Sequence, residues 1–504
     1  MRRKLAVISL LLFAPLLMAG GSSKIFDKIQ NESSKSQAYA FASELAALGA
    51  RPTNTPAFER AMEWVELKAE KTVGLKNIHY EGFPFGRGWN WNNCETNLVS
   101  PEQRLIPSIP LPYSPAQTVQ AEVVLAPGER VEKYRKLYGG KLRGKIVLLD
   151  KIPEPRDTTL PTPATYTDAQ LKQFEQPLNC PVMTFGLTLP TEPVARRCFL
   201  FLAPEKLRDE AVEHLRALRN ELWKFLASEQ VAGIIVSSHG PKEVLSRPLP
   251  DFRLPSDANP LPGVIIGQDD YAKIANLAKK QKVVLSIQIK SWLETERNIG
   301  MSVTAELLGR DPKKKVVMLG AHLDSWWHGQ GAADNAAGVG VVLEAMRVIS
   351  KLPQPKRTIR VAFWGGEEQG LLGSKDYAAT DHAGNIKMYF NVDSGSGRIR
   401  GLYAEKFPQA AGLLKRWLEP TGETTVALQL PNPLRSDYLP FAEAGIPAFG
   451  FVQDPTDEEV YHSTADTAGR LHKENLRQAA QVVAWVVYQA ANANNKELLQ
   501  LTQR

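Results

Sequence analysis

Long apolar runs are missing from this chain. None reaches the ~20 residues a membrane-spanning helix needs, which excludes a polytopic membrane protein. Cysteine is scarce: among 504 residues only Cys94, Cys180 and Cys198 occur. With no C-x-x-C pair there is no sign of a cysteine-based zinc site or a thioredoxin-like motif. So few cysteines also exclude a disulfide scaffold. A dominant charge sign is lacking too, with 61 Lys+Arg against 54 Asp+Glu. That balance argues against a nucleic-acid binder. The densest basic spot, Lys313-Lys314-Lys315, reads as a solvated turn ahead of a strand. Hydrophobic residues at 43% and charged residues at 23% lie in the globular range and exclude a disordered or collagen-like chain. The length suggests about three domains.

What is present begins at the N-terminus. Arg2, Arg3 and Lys4 precede an apolar run from Leu5 to Met18, followed by the small residues Ala19-Gly20-Gly21-Ser22-Ser23. A positive segment, a short apolar core and a small-residue zone read as a secretory signal peptide over residues 1–23. The expected location is therefore periplasmic or extracellular, with no membrane contact once the signal is removed. No cysteine lies near the cleavage zone to carry a lipid. Removal of residues 1–23 lowers the formal charge from +7 to +4. In an oxidising compartment Cys180 and Cys198 are near enough in sequence to pair across a short loop, leaving Cys94 free. The sequence alone does not decide that pairing.

The rest of the chain divides by pattern. Residues 24–117 open with helical periodicity, including an amphipathic stretch from Ala57 to Glu70 behind Pro56, and then become rich in Gly, Pro, Trp and Asn. Residues 118–290 carry short β-rich runs at Val119–Leu125, Lys145–Leu149, Gly233–Val236 and Gly263–Ile266, a helix at Tyr271–Lys280 and a closing strand at Val283–Ile289. Within this unit Pro153–Pro193 reads as an extended excursion, with a helix-like stretch at Glu205–Ser228 after it. Residues 291–504 alternate strand and helix, from Val316–Leu319 and Ala336–Ser350 to Pro447–Val452 and Lys473–Ala493. Such alternation predicts an α/β fold with a mostly parallel central sheet. In open sheets of this kind ligands bind beyond the carboxyl ends of the strands.

That rule selects five polar residues: His322, Asp334, Glu368, Asp393 and His462 follow predicted strands or sit in the loops behind them. Taken singly, each has a plainer explanation. Asp334-Asn335 ahead of a helix suits an N-cap, Glu367-Glu368 suits an acidic helix start, and Asp393-Ser394-Gly395 suits a turn. Taken together, two imidazoles and three carboxylates at one sheet edge suit zinc. One shared carboxylate would complete two sites, with ions ~3.5–4 Å apart. Asp324 lies two residues beyond His322, on the same side of an extended segment, where it could accept the second ring N–H and orient the imidazole. Of the adjacent Glu367 and Glu368, one can bind metal while the other serves as general base. His79, His214, His239, His328, His382 and His472 lack comparable partners and read as surface or structural histidines.

The motifs GAHLDSW (Gly320–Trp326), GAADNAAG (Gly331–Gly338), GGEEQGLLGS (Gly365–Ser374), NVDSGSG (Asn391–Gly397), SDYLPF (Ser436–Phe441) and YHSTADT (Tyr461–Thr467) resemble those of the co-catalytic zinc exopeptidases. That family includes secreted bacterial aminopeptidases, carboxypeptidase Q and the glutamate carboxypeptidase II group. The opening LGARPTNTPAFERAMEWV (Leu48–Val65) is similar to the same family's N-terminal helix region. GKIVLLD (Gly144–Asp150), VAGIIVSSH (Val231–His239) and LPGVIIGQDDYAKI (Leu261–Ile274) resemble an inserted protease-associated domain. The resemblance implies a three-layer zinc-exopeptidase fold with this β-rich insertion. It implies two zinc ions, one on His322, Asp334 and Asp393, the other on Asp334, Glu368 and His462. It assigns Glu367 as general base and Asp324 as the residue orienting His322. It also suggests a cis peptide at Asp334-Asn335 and a place for Tyr438 near the oxyanion.

The expected activity is exopeptidase cleavage of small peptides, with an aminopeptidase or dipeptidase favoured over a carboxypeptidase of the carboxypeptidase Q type. A non-catalytic interaction module of the same fold and a single-zinc glutaminyl cyclase are the alternatives from other classes. A free amine calls for an acidic partner and a terminal carboxylate for arginine. Asp454, Asp457, Glu458 and Glu459 stand as candidates for the first role, and Arg398, Arg400 and Arg435 for the second. Trp326, Trp327 and Trp364 are candidates for a side-chain pocket. An inserted domain is compatible with a homodimer.

Overall fold

Two eight-stranded sheets organise the chain. The computed structural model describes residues 14–128, 131–154, 165–180, 184–188, 190, 192–239, 245, 252–254, 261–294, 298–429, 436–457 and 459–501. The strands are β1 (Lys76–Pro84), β2 (Gly88–Ser100), β3 (Arg104–Ile106), β4 (Ser108–Pro110), β5 (Gln117–Leu125), β6 (Ile146–Leu148), β7 (Gly233–Ser237), β8 (Gly263–Ile266) and β9 (Val284–Glu294). They continue with β10 (Ile299–Leu307), β11 (Val316–His322), β12 (Ile359–Trp364), β13 (Ile386–Asn391), β14 (Ile399–Tyr403), β15 (Thr425–Ala427) and β16 (Ala448–Gln453).

The first sheet has the order β1-β10-β12-β11-β13-β16-β14-β15. Its centre, β12-β11-β13-β16, is parallel, and antiparallel pairs flank it on both sides. This is the α/β layering that strand–helix alternation predicts. All seven residues of β11, VVMLGAH, are buried, as expected of a strand covered by helices on both faces. The helix Ala337–Ser350 packs beside it and against the helices Ala38–Ala46 and Lys473–Asn492. Close approach depends on Gly340, where a Cβ would stand 2.6 Å from the carbonyl oxygen of Ala38 and 2.9 Å from the nitrogen of Ala42.

The second sheet has the order β3-β2-β9-β5-β6-β7-β8-β4. The expected domain boundary at residues 117/118 falls inside it, because β2 pairs along its whole length with β9 and β4 pairs with β8. The chain crosses from one sheet to the other between Pro84 and Gly88 and returns between Glu294 and Ile299. Pattern reading missed this because β2, GWNWNNCETNLVS, shows no clean alternation of buried and exposed positions.

The segment expected to be an extended excursion contains a helix, Asp168–Phe174, started by a capping box between Thr167 and Gln170. This helix packs on β15, and the carbonyl of Phe174 accepts from Leu428 N at 2.8 Å and Gln429 N at 3.2 Å. The helix Glu205–Ser228 begins at the other end of the excursion, where Arg208 pairs with the buried Glu443 and Asp209 with Lys375. The excursion therefore belongs by contact to the first sheet as well as the second. Cys180 of the excursion forms a disulfide with Cys198 in the helix Pro193–Leu202 that follows it, and Cys94 is free. The helix Ala14–Ser33 runs through the expected cleavage zone, and residues 1–13 of the expected signal peptide lie outside the described residues. Among the described residues no helix is long and apolar enough to cross a membrane.

Gly340→Ala should lower stability, since overpacking of a close helix contact costs ~1–3 kcal/mol against about 1 kcal/mol gained in helix propensity. Denaturant unfolding checks this; an unchanged or raised midpoint would mean that the two helices separate freely.

Candidate metal centre

His322 is the last residue of β11, and its ring is fixed at one nitrogen. Nδ1 lies 3.0 Å from the carbonyl oxygen of Asp324, so Nδ1 carries a hydrogen and Nε2 is the nitrogen turned toward the carboxylates. The Asp324 carboxylate, expected to orient this ring, stands 3.6 Å from Nδ1, beyond hydrogen-bond length. That carboxylate instead accepts from Thr53 Oγ1 at 3.0 Å and, at 3.4 Å each, from the backbone nitrogens of Glu367 and Glu368. It therefore stands between the histidine ring and the glutamate loop.

The structure brings His322, Asp334, Glu368, Asp393 and His462 together at the carboxyl edge of the central strands. His322 Nε2 lies 3.0 Å from Asp334 Oδ1 and 3.3 Å from Asp393 Oδ1. His462 Nε2 lies 3.1 Å from Asp334 Oδ2 and 3.0 Å from Glu368 Oε2. Each oxygen of Asp334 thus faces a different imidazole, and each imidazole faces one further carboxylate. Ligand atoms of His322, Asp334 and Glu368 fall within 4.8 Å of one another, a grouping able to hold a metal ion. The donor set fits such an ion on a second count: His322 Nε2 and Glu368 Oε1 are buried without a hydrogen-bond partner, an arrangement costly to leave unsatisfied.

The electrostatics follow from this crowding. Burial pushes both imidazoles down, but the facing carboxylates outweigh it. Asp393 and Glu367 hold His322 well above its ordinary value, and Glu368 and Asp334 hold His462 up at about 10. Burial pushes Asp334 up, yet its two imidazole partners hold it well below the usual carboxylate range. Burial lifts Glu367 well above that range and Glu368 to about 7.

Several further residues build the site. The Asp334–Asn335 peptide is cis, and the Asn335 side chain joins Val392 O to Gly338 N. Asp393 accepts from Ser436, whose hydroxyl accepts from Asn391 at 2.6 Å. Asn391 in turn accepts from Tyr389 at 2.6 Å, and Tyr389 from Trp364 at 2.8 Å. Asp437 is buried, accepts from Ser374, and is pushed up to about 8 by burial. His462 adopts a left-handed backbone at φ 55°, uncommon for a residue other than glycine. Its ring is 4.6 Å from that of Trp326.

Sequence reading passed over Arg51 and Asp466. The Asp466 carboxylate accepts from the backbone nitrogens of Ala332, Ala333 and Asp334 at 2.9, 2.6 and 3.1 Å. The Arg51 guanidinium donates to the carbonyls of Leu323, Gly49, Gln330 and Gly331 at 2.6–3.1 Å. Burial pushes Asp466 up to about 7 and Arg51 down to about 10. Both stand inside quoted motifs, but nothing in their local pattern marks them as buried.

Other expected residues lie elsewhere or are engaged. Tyr438 is 3% exposed, and its hydroxyl donates to Glu405 at 2.8 Å, so that hydroxyl is engaged within the core. Trp364 is core, and Trp327 packs on Trp89 and Tyr113. Asp454 pairs with Arg400 at 3.1 Å, Asp457 accepts from Ser396, and Arg398 pairs with Glu423. Glu459 is exposed; Arg435 and Glu458 lie outside the described residues.

Residues 302–487 match the model of peptidase family M28. Carboxypeptidase Q of Mus musculus is 28% identical over 240 residues, 46% of this chain and 50% of the relative. Aminopeptidase YwaD of Bacillus subtilis (strain 168) is 33% identical over 195 residues, 36% of this chain and 42% of the relative. The chain thus spans about half the length of the curated relatives it matches. Among solved structures, a peptidase M28 precursor from Shewanella amazonensis SB2B superposes with a TM-score of 0.66 at 23% identity, covering 94% of this chain and 98% of that one. At that identity the likeness is one of fold.

The raised imidazoles carry a testable sign. A metal ligand must be deprotonated, so metal binding displaces protons. Adding a divalent cation to metal-free protein at pH 7 should release protons, and affinity should fall as pH is lowered. A titration in weak buffer followed with a pH electrode checks this; uptake without proton release would mean that both imidazoles are already neutral.

Proposed function

We propose, on the premise that residues 302–487 belong to peptidase family M28, that this protein is an exported two-zinc exopeptidase acting on small peptides. In this reading the second sheet is a protease-associated unit. The observation that carries the reading is the double engagement of Asp334, one oxygen toward His322 and the other toward His462. His322, Asp334 and Asp393 would hold one zinc ion, and Asp334, Glu368 and His462 the other. When bound, the two ions supply Lewis acidity, which lowers the pKa of water toward ~7 and polarises the scissile carbonyl.

The remaining chemistry belongs to the chain. Glu367 stands next to Glu368 but makes none of the imidazole contacts, so its carboxylate is free to take the proton of the attacking water and return it to the leaving amine. Burial raises its proton affinity, while the positive charge of bound cations would act in the opposite direction. Asp324 holds Glu367 and Glu368 by their backbone nitrogens. The loop after β16 contributes His462 and brings its ring against Trp326.

Cleavage from the amino end, as by an aminopeptidase or dipeptidase, is the favoured direction; a carboxypeptidase is the second reading, supported by the carboxypeptidase Q relatives. A matched pair, a free-amino tripeptide and its N-acetylated twin, separates them. Cleavage of the free form alone supports the amino-end reading, and cleavage of both supports the carboxypeptidase. Cleavage of neither by zinc-loaded protein would favour a binding module, or a glutaminyl cyclase if a Gln-peptide is cyclised.

Glu367→Ala should retain its metal and lose activity by about 10²–10⁴-fold. His462→Ala should instead lower metal content, read by elemental analysis. Near-normal turnover in the first variant, or full metal content in the second, would remove that residue from its role.

A further inference from the structure

We infer that Arg51 and Asp466 are positioning residues that clamp the Gln330–Asp334 backbone from both ends of its peptide dipoles and so hold Asp334 between the two imidazoles. The inference rests on the two-metal reading above and deepens it. The clamp is visible peptide by peptide. Carbonyl oxygens of Gln330 and Gly331 face the Arg51 cation at 2.6 and 2.8 Å, and the next three nitrogens, Ala332 to Asp334, face the Asp466 anion. A segment with its carbonyls on a cation and its amides on an anion has one strongly preferred orientation, since buried charge-assisted hydrogen bonds are the strong ones.

The two residues differ in reach. Arg51 comes from the N-terminal region and also donates to Leu323 O, one residue past His322. Asp466 comes from the loop that carries His462, four positions upstream. Its carbonyl accepts from Gln330 N at 2.7 Å and its own nitrogen donates to Ser463 O. Asp466 thereby ties the His462 loop to the Asp334 loop. His322 and Asp393, by contrast, stand at or just past the ends of strands β11 and β13 and do not depend on that tie. Loss of Asp466 should therefore weaken chiefly the ion held by Asp334, Glu368 and His462.

The test is a zinc titration of the full-length protein against a competing chelator, with the unfolding midpoint of the metal-free protein measured alongside. In Asp466→Asn, which keeps the shape but cannot accept from all three nitrogens, one of the two ions should lose about 10–100-fold in affinity. The other should change much less, and the metal-free midpoint should not account for the difference. Arg51→Lys keeps a cation that cannot span the same carbonyls and should weaken binding in the same direction. Two ions bound by Asp466→Asn with wild-type affinities would overturn the inference. An equal loss at both sites that tracks a collapsed midpoint, or failure of both variants to fold, would overturn it too, because the pair would then serve the fold alone. If the wild-type protein itself binds fewer than two ions, the two-metal reading fails instead.

Discussion

Carboxylates withdrawn from water beside one another repel, and the centre of this protein is organised around that repulsion. Asp324, Asp334, Glu367, Glu368, Asp393, Asp437 and Asp466 crowd one sheet edge, mostly buried. A buried ion is tolerated only when paired or hydrogen-bonded, and most of these carboxylates are so engaged. Asp334 has two imidazoles, Asp324 a hydroxyl and two backbone amides, Asp466 three amides and Arg51 nearby, Asp393 the Ser436 hydroxyl. Two buried atoms without a hydrogen-bond partner, His322 Nε2 and Glu368 Oε1, belong to the group able to hold a cation. The parallel sheet matters because it delivers this crowd: strand ends bring residues distant in sequence to one line, and buried strands hold them there.

Much of this was legible in the sequence, for a definite reason. Strand–helix alternation marks which loops lie at the carboxyl edge, so His322, Asp334, Glu368, Asp393 and His462 could be picked out by position. The supporting residues were not legible in the same way. Arg51 and Asp466 look like ordinary surface charges in a one-dimensional pattern, because their burial is decided by a loop that arrives from elsewhere in the chain. Spacing puts Asp324 beside His322, where its backbone carbonyl lies nearer the ring than its carboxylate does. Tyr438 was expected beside the reacting atoms and lies in the core, since the short helix it opens turns its hydroxyl toward Glu405. The strand β2 was hidden by a run of Trp and Asn that carries no clear period. The fold class was therefore clearer than the boundary between the sheets.

The excursion between β6 and β7 has an architectural role that its composition conceals. A chain segment rich in Pro and Thr looks like a spacer. Here its described parts include capped helices, a disulfide between Cys180 and Cys198, and contacts to β15 and to the helix Tyr438–Glu443. The pair Arg208–Glu443 ties it to the helix Tyr438–Glu443, which follows directly on Ser436 and Asp437. The inserted unit is thus attached at points well away from its two covalent crossings.

The same holds at the other side of the site, where Trp327 and β2 exchange bonds. Trp327 donates from its indole to the carbonyl of Trp89, and Trp91 donates from its indole to the carbonyl of Trp327, each at 3.2 Å. The residue beside Trp327 is the tryptophan that lies against His462. An engineer who replaced the second sheet with another module of equal size, joined at the same two crossings, would remove the mounting of that aromatic ring. Modularity in the gene would then not be modularity in the machine: the insertion is part of the chassis on which the imidazole is carried.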